Sequence, residues 1–318
     1  MRRGKQKMPS GPGRSYRNGI TLIELMDMFP DEESAERWFE SVVWPEVRHC
    51  PECKSDNTYT CSGKAKMPYR CRDCLKYFSV KTGTVMRNSP MPLRKWAIAI
   101  FMNLVSLKGV SSMRVHRDLG ITQKSAWFMQ HRIREAFKED ASLRKMFENA
   151  IEADESYFGG RKKKHVKGRG PVGKAIVAGI KERDSKKVRV AVIPNTKKPT
   201  LHQFVLDNID PTGATLFTDE NRSYTGVVKD HQTVVHSAGE YVRGMAHVNG
   251  MESFWAVLKR AYHGTFHQIS KKHLHRYVTE FAGRHNVRSW DTIEQMRWIA
   301  SSMVGRSLSY EELTGKEQ

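Results

Sequence analysis

Cysteines, acidic residues and long apolar stretches are all scarce in this chain, and each scarcity excludes a class of protein. All five cysteines lie between Cys50 and Cys74, so no disulfide can cross-link the rest of the chain. No long uncharged apolar run is present, and the basic amino terminus is not followed by the apolar segment of a signal peptide. We therefore expect no membrane partner and a cytoplasmic location.

The shortage of acids leaves a strong positive charge. Asp and Glu number 34 against 54 Lys and Arg, which gives a formal net charge of +20. An excess of this size favours a polyanionic partner, nucleic acid before an anionic membrane. With 318 residues the chain can form two or three domains with a substantial core. We expect it to associate with DNA in the nucleoid.

The charge changes sign within the first 47 residues. Residues 1–19 carry six basic side chains and no acid, with Gly, Pro and Ser, which predicts a disordered basic arm. Residues 20–47 carry eight acids against Arg37 alone, and their apolar spacing predicts two short amphipathic helices, with Asp31 capping the second. We expect this acidic helical pair to dock on another domain or subunit rather than on DNA.

The cysteines form two Cys-x-x-Cys pairs, Cys50 with Cys53 and Cys71 with Cys74, and 17 residues lie between the pairs. Two such pairs can supply four thiolates to one tetrahedral, structural Zn²⁺, so residues 48–82 are predicted to form a zinc ribbon. The alternative, a pair of disulfides, is disfavoured inside a cell. Basic residues surround the site, which favours DNA contact over a purely structural ribbon.

Residues 90–140 have the apolar spacing of three helices joined by tight turns. The pattern is typical of a helix-turn-helix domain with Thr122–Phe137 as its recognition helix, although any three-helix bundle with a basic face looks similar. In the DNA-binding interpretation, Gln123, Lys124 and Ser125 face the major groove. The side chains expected on the DNA-facing surface of this helix are Lys124, Gln130, His131, Arg132, Arg134 and Lys138.

Strand and helix patterns alternate through the second half of the chain. Three strand-like stretches come first, followed by a helix, two more strands and long helices. This order predicts an α/β, ribonuclease-H-like catalytic domain with a mixed five-stranded sheet over residues 148–290, followed by a helical tail over 291–318. The predicted strands are 150–158, 174–180, 187–193, 214–218 and 233–236, and the helix after the third strand is 200–208, capped by Thr200.

Three carboxylates stand out by their positions in these elements. Asp154 lies inside a strand, where Asp is uncommon, and its neighbour Glu155 must point to the opposite face. Asp219 lies just past a strand end, where the alternative is an ordinary turn residue. Glu252 flanks a helical apolar stripe and has no basic residue three or four positions away to pair with. The stripe comprises Met251, Phe254, Trp255, Leu258 and Tyr262.

Together these acids indicate a metal site. Three hard oxygen donors converging at one edge of a sheet suit two Mg²⁺ (or Mn²⁺) ions. Two such ions can activate a water or a 3′-hydroxyl and stabilise the leaving oxygen of a phosphoryl displacement.

Three motifs around these acids resemble those of a known family. They are Ala153–Gly160, with the sequence ADESYFGG; Thr218–Glu220, followed by Tyr224; and His247–Trp255, with the sequence HVNGMESFW. They are similar to the signatures of DDE transposases. The group that they resemble most is the bacterial insertion-sequence transposases with an amino-terminal zinc ribbon, the ISXO-like group. The resemblance covers roughly residues 48–290.

The resemblance implies a catalytic triad of Asp154, Asp219 and Glu252 that binds Mg²⁺, with Lys259 contacting DNA. It implies binding to the terminal inverted repeats of an insertion sequence, cleavage to give 3′-hydroxyls, and joining of those hydroxyls to target DNA. Because two ends of double-stranded DNA must be paired, a homodimer or larger assembly is expected. The phosphate contacts predicted in the basic run after the first motif are Arg161, Lys162, Lys163 and Lys164.

Two other functions fit the same modules. A non-catalytic DNA-binding regulator, or a domesticated relative, would keep the zinc ribbon and the helix-turn-helix without cleaving DNA. A ribonuclease-H-like nuclease or resolvase would cut DNA without joining it.

Overall fold

The computed structural model of the protein describes residues 18–63, 66–140, 145–159, 173–233 and 248–315. The predicted basic arm lies outside these residues except for its last two positions, and so do the four predicted phosphate contacts after the first motif. Within the described residues, no helix is both long and apolar enough to cross a membrane.

The acidic segment folds into two helices, α1 (Leu22–Met28) and α2 (Glu32–Val43). Asp31 caps α2 as predicted, because its carboxylate accepts a hydrogen bond of 2.7 Å from the backbone N–H of Ser34. Each helix buries an apolar side in a core formed mainly by residues 25–137, called the first core below. Most of the acids are exposed, but Glu36 and Glu40 are half-buried.

Three short antiparallel strands follow: β1 (Thr58–Thr60), β2 (Tyr69–Cys71) and β3 (Tyr77–Phe78). Trp44, just after α2, packs edge-on against one aromatic ring of β2 and one of β3, with centroid distances of 5.7 and 5.9 Å. These contacts bury one face of the small sheet against the acidic segment.

The next three helices are α3 (Leu93–Val105), α4 (Ser112–Leu119) and α5 (Gln123–Glu135). Glu32 of α2 accepts hydrogen bonds of 2.6 and 3.0 Å from the first two backbone N–H groups of α3. A helix start leaves these N–H groups without a partner in the helix, so the bonds stabilise α3 and dock the acidic pair on it.

A mixed five-stranded sheet fills the second half of the chain. Its strands are β4 (Phe147–Phe158), β5 (Ala175–Glu182), β6 (Val188–Ile193), β7 (Ile209–Thr218) and β8 (Asp230–Thr233). The order is β6-β5-β4-β7-β8, in which β4 to β6 are antiparallel, β7 is parallel to β4 and β8 is parallel to β7. The longest strand, β4, is therefore central.

The last strand begins earlier than the predicted 233–236. It occupies 230–233 because these four residues pair in register with residues 215–218 of β7. Residues 234–236 lie outside the described part of the chain.

Helices cover both faces of this sheet. α6 (Lys198–Leu206) packs on one face, and α7 (Asn249–Ala261) and α8 (Lys271–Asn286) pack on the other. α6 begins two residues before its predicted start, and Thr200 is not its cap. Lys197 holds the N-cap position, and a proline in the first turn favours the earlier start.

The apolar stripe predicted beside Glu252 is buried against the sheet. Met251, Trp255 and Leu258 belong to the core between α7, α8 and the sheet. Gly179 of β5 permits this close approach, since a Cβ atom there would lie 2.4 Å from the terminal methyl carbon of Met251. The stripe therefore fixes α7 on the face of the central strands.

The last helices pack against the first half of the chain. α9 (Thr292–Ser302) and α10 (Tyr310–Thr314) follow α8, and Met296 and Ile299 of α9 join the core formed by the acidic pair, the ribbon and α3 to α5. The predicted helical tail is thus packed into the core of the amino-terminal modules.

Candidate active site

Asp154 lies near the middle of β4 and points toward α7. The indole Nε1 of Trp255 donates a hydrogen bond of 2.9 Å to Asp154 Oδ2. The helix that carries Glu252 thereby touches the first predicted acid directly. Glu252 itself is exposed, one helical turn before Trp255 and on the same side of α7.

Asp219 follows β7, the strand that pairs with β4 on the side away from β5. Its Oδ1 accepts a hydrogen bond of 3.1 Å from the backbone N–H of Asn221. Glu155 points to the face of β4 opposite Asp154, as predicted, and its carboxylate accepts bonds from Asn221 and Tyr224. The acids of the first two motifs therefore meet where β4 and β7 lie side by side.

The environment of Asp154 disfavours its charged form. Burial, followed by the negative charges of Asp219 and Glu155, raises the pKa of Asp154 to about 7. Burial also raises the pKa of Glu155, although its hydrogen bonds oppose the rise. Among the described residues, neither Asp154 nor Asp219 forms an ion pair. Two neighbouring carboxylates without a cationic side chain fit a bound metal cation.

The start of α7 is held by β4 as well. Glu152, which is buried, accepts a hydrogen bond of 3.0 Å from the backbone N–H of Met251 and forms an ion pair of 3.0 Å with Arg183. Lys181 donates to the carbonyl oxygen of Gly250 at 3.3 Å. A Cβ atom at Gly250 would lie 2.6 Å from Glu152 Oε2. A residue larger than glycine would therefore fit here only if the Glu152 side chain or α7 moved.

The three predicted catalytic acids do not converge as tightly as the cysteines do. Among the described residues, the one group of three or more potential ligand side chains whose donor atoms lie within 4.8 Å of one another is Cys50, Cys53, Cys71 and Cys74. The structure thus brings Asp154 and Asp219 together and places Glu252 on the helix that contacts Asp154. The carboxylate oxygens of the three acids do not all lie within 4.8 Å of one another.

The cysteine cluster has the arrangement of a structural zinc site. The sulfurs of Cys50 and Cys74, and those of Cys53 and Cys71, are each 3.6 Å apart. Four thiolates at these separations fit a tetrahedral Zn²⁺. The fifth cysteine, Cys61, lies outside the cluster.

The prediction of a basic, DNA-facing surface on α5 is largely wrong. Gln130, His131 and Arg134 have only 2, 0 and 2% of their surfaces exposed. His131 and Arg134 face α8, where Arg134 forms a buried ion pair of 2.8 Å with Glu280. Gln130 instead donates to the carbonyl oxygen of Val110. Burial also lowers the pKa of His131, so its ring carries no charge near neutral pH. The sequence pattern of α5 could not distinguish a DNA-binding surface from a surface covered by a helix that is distant in the sequence.

The other predicted DNA contacts have different environments. Gln123 and Lys124 are exposed at the start of α5, and Ser125 is half-buried. Arg132 is occupied within the protein, because it donates to the carbonyl oxygens of Leu308 and Arg87. It is therefore a weaker candidate for DNA contact than its position in the sequence indicates.

Lys259 is exposed on α7 and lines an open cleft of about 800 Å³. Glu155, Gly159 and Lys174, at the outer ends of β4 and β5, line the same cleft. Lys259 thus shares a cleft with Glu155, whereas Asp154, Asp219 and Glu252 do not line it.

The sequence motifs gave no role at this site to several residues that build it, although Tyr224 and Trp255 lie in or beside those motifs. Glu152, Asn221 and Tyr224 hold the segments that carry the predicted acids, and Trp255 was assigned to the core alone. The position of Glu152, two residues before Asp154 on the same face of the strand, was an available signal. The side-chain amide of Asn221 donates to Glu155, which is 66 residues away in the chain, so this contact left no local pattern.

Comparison with known proteins defines the class of the chain. Residues 146–286 match the ISXO2-like transposase domain, and residues 30–77 match the transposase zinc-ribbon domain. The two matches together cover more than half of the chain, so the chain contains a region similar to the ISXO2-like transposase domain and one similar to the transposase zinc ribbon. They confirm the resemblance seen in the sequence motifs.

The chain is also similar to a protein of Halobacterium salinarum described as an uncharacterised protein in transposable element ISH50. The two are 26% identical over 281 residues, which cover 81% of this chain and 92% of the relative. The similarity therefore extends over both halves of the molecule.

Proposed function

We propose that the chain is a DNA transposase that binds the terminal inverted repeats of an insertion sequence, cleaves to expose 3′-hydroxyls and joins them to target DNA. The observation that supports this most is the pair Asp154 and Asp219. The two are partly buried, mutually repelling and without an ion pair among the described residues. The mixed sheet with helices on both faces supports assignment of this domain to the ribonuclease-H-like class.

Asp154, Asp219 and Glu252 are the residues that would hold Mg²⁺. When bound, two such ions lower the pKa of the attacking hydroxyl and stabilise the leaving oxygen. The protein supplies the frame: β4 fixes Asp154, the loop after β7 fixes Asp219, and α7 presents Glu252. Because Glu252 is exposed, its side chain is free to turn toward a bound metal.

DNA is proposed to approach this edge of the sheet from the side of Lys259. The lysine lies seven residues after Glu252, two helical turns along α7, so both side chains project from the same face of this helix. Its ammonium group would contact phosphate and contribute no sequence information. Arg161, Lys162, Lys163 and Lys164 are proposed to act in the same way.

The ribbon and the helical module are proposed to bind the element's ends. Gln123 and Lys124 are the best placed side chains of α5, because they are exposed at its amino-terminal end, the part that a recognition helix presents to bases. Since two ends must be paired, the active species is proposed to be a homodimer or a larger assembly.

The test uses the purified full chain, DNA carrying one element end, a supercoiled target and Mg²⁺. We expect nicked ends and joined target DNA, both lost on chelation of the metal. Asp154→Asn and Glu252→Gln should lower both products by about 100-fold or more, because each removes a ligand of a site worth several kcal/mol to the transition state. Asp184→Asn, in the exposed turn between β5 and β6, is the matched control.

The products also separate the other functions. Nicked ends that are never joined would assign the chain as a nuclease or resolvase. Binding of ends without any metal-dependent cleavage would assign it as a regulator.

A further inference from the structure

Glu155 lies next to a predicted metal ligand but makes contacts of a different kind. Its Oε1 accepts a hydrogen bond of 2.6 Å from Asn221 Nδ2, and its Oε2 accepts one of 2.9 Å from the hydroxyl of Tyr224. Both oxygens thus already have a donor. The partners lie on the face of the sheet away from α7, in the short 3-10 helix Arg222–Tyr224 and just before it.

Asn221 connects this carboxylate to the second predicted acid. Its backbone N–H donates to Asp219 Oδ1 at 3.1 Å, while its side-chain oxygen accepts from the N–H of Ser223 at 3.0 Å. One residue therefore holds Asp219, caps the 3-10 helix and is itself held by Glu155. Rotation of the Asp219 carboxylate would break this chain of bonds.

Tyr224 gives the arrangement a rigid base. Its ring is completely buried in the core between the sheet and α6, so its hydroxyl has a fixed position. Glu155 is fixed by β4, whose pairing with β5 is regular from residue 151 to residue 158. The loop after β7 is thereby fastened to the strand that carries Asp154.

We propose that Glu155 is a positioning residue that sets the orientation of Asp219 through Asn221. The inference depends on the proposed function, because the purpose of the orientation is to present Asp219 to the metal beside Asp154. Residues that orient metal ligands are typically worth 10–100-fold in metal affinity. A competing role, in which Glu155 binds the metal itself, predicts a different response to substitution.

The first measurement is the affinity for Mg²⁺ and Mn²⁺, by calorimetric titration of the full chain without DNA. Glu155→Ala and Asn221→Ala should each weaken binding by about 10-fold or more, because both remove the side-chain bond that fixes the backbone N–H donating to Asp219. Tyr224→Phe keeps the buried ring and removes one of two bonds, so its loss should be smaller. Asn195→Ala is the matched control, since Asn195 caps a turn away from the site through its bonds to Lys197 and Thr200.

Glu155→Gln separates positioning from metal binding. A glutamine keeps one carbonyl oxygen for Asn221, and its amide can donate to the hydroxyl of Tyr224, so we expect affinity within about threefold of the parent. A loss as large as that of Asp154→Asn would instead make Glu155 a ligand and overturn the proposal. Parental affinity in Asn221→Ala would overturn it as well.

The second measurement is strand joining as a function of Mg²⁺ concentration. The positioning variants should need about 10-fold more Mg²⁺ for half-maximal joining and recover most of the activity at saturation. Thermal melting without metal identifies any variant that is merely unfolded, and Tyr224→Phe remains informative if Glu155→Ala fails to fold. If the parent chain binds no metal and joins no DNA, the proposed function fails; if it does both and all variants match it, only this inference fails.

Discussion

The four-cysteine cluster and the three acids proposed to bind Mg²⁺ are assembled in two different ways within one chain. The four cysteine sulfurs lie within 4.8 Å of one another and come from two short turns of a single ribbon. Asp154, Asp219 and Glu252 come from a central strand, a loop and a helix, and they do not close to that distance. The first site depends on local chain geometry, whereas the second depends on packing between distant elements.

The difference follows from charge and placement. Thiols can approach one another in their neutral form, so the ribbon can fold around a nearly complete ligand set. Neighbouring carboxylates repel one another, and the pKa of Asp154 is raised first by its burial and then by the negative charge of Asp219. Other parts of the protein must therefore hold the acids in place, which Glu152, Asn221 and Trp255 do.

The largest expected effect breaks the zinc site alone. Cys50→Ser removes one thiolate, and structural zinc typically stabilises such small folds by about 10–16 kcal/mol. Cys50 and Cys71 belong to the first core, so the ribbon should unfold. Zinc content by mass spectrometry should fall from about one ion per chain to nearly none, with a lower melting temperature. Cys61→Ser should change neither, and a Cys50→Ser chain that keeps its zinc would contradict the assignment.

The second prediction tests how much the packing between α5 and α8, which are distant in the sequence, stabilises the protein. Arg134 of α5 and Glu280 of α8 form an ion pair in which each side chain is only 1% exposed. Glu280→Gln leaves a buried guanidinium without its carboxylate, which should cost about 3–5 kcal/mol. Chemical denaturation should show the loss, while zinc content stays unchanged.

The matched control for this pair is Glu33→Gln. Its exposed ion pair with Arg37 should contribute no more than about 0.5 kcal/mol. Equal effects of the two substitutions would show that the buried pair does not join the helical module to the catalytic domain.

The same contrast explains which features could be predicted from the sequence. The zinc ligands follow from spacing alone, and the buried stripe of α7 follows from helical periodicity. Asp154 was recognisable because an acid inside a strand is unusual. The surface of α5 was not predictable, because Glu280 and its neighbours come from another part of the chain. The same holds for Asn221, whose role depends on a residue of a strand that is distant in sequence.

The third prediction crowds the start of α7 without changing a proposed ligand. In Gly250→Ala the new methyl group would meet Glu152 and Lys181, at 2.6 and 2.7 Å, so these two side chains or the start of the helix must shift. We expect a loss of about 1–3 kcal/mol in stability, together with weaker Mg²⁺ binding. Gly264→Ala is the control, since a Cβ atom there meets nothing within 4 Å. Unchanged stability and metal affinity in Gly250→Ala would show that Glu252 does not depend on this close contact.

The smallest predicted effect is a pH dependence of the acid site. Asp154 has a pKa raised to about 7 in the folded chain, against an ordinary value of 3.8, so the metal-free folded protein holds a proton that the unfolded chain has released. Its contribution to stability is therefore complete at low pH and is lost as pH rises through about 7. Mg²⁺ must displace this proton, so its affinity should rise with pH by up to about tenfold per unit and level off above 7. Calorimetry at pH 6 and 8, in two buffers with different heats of ionisation, should detect the released proton. Asp154→Asn should release none; the same proton release in that variant would place the titrating group elsewhere, and the repulsion that distinguishes the acid site from the zinc site would need another source.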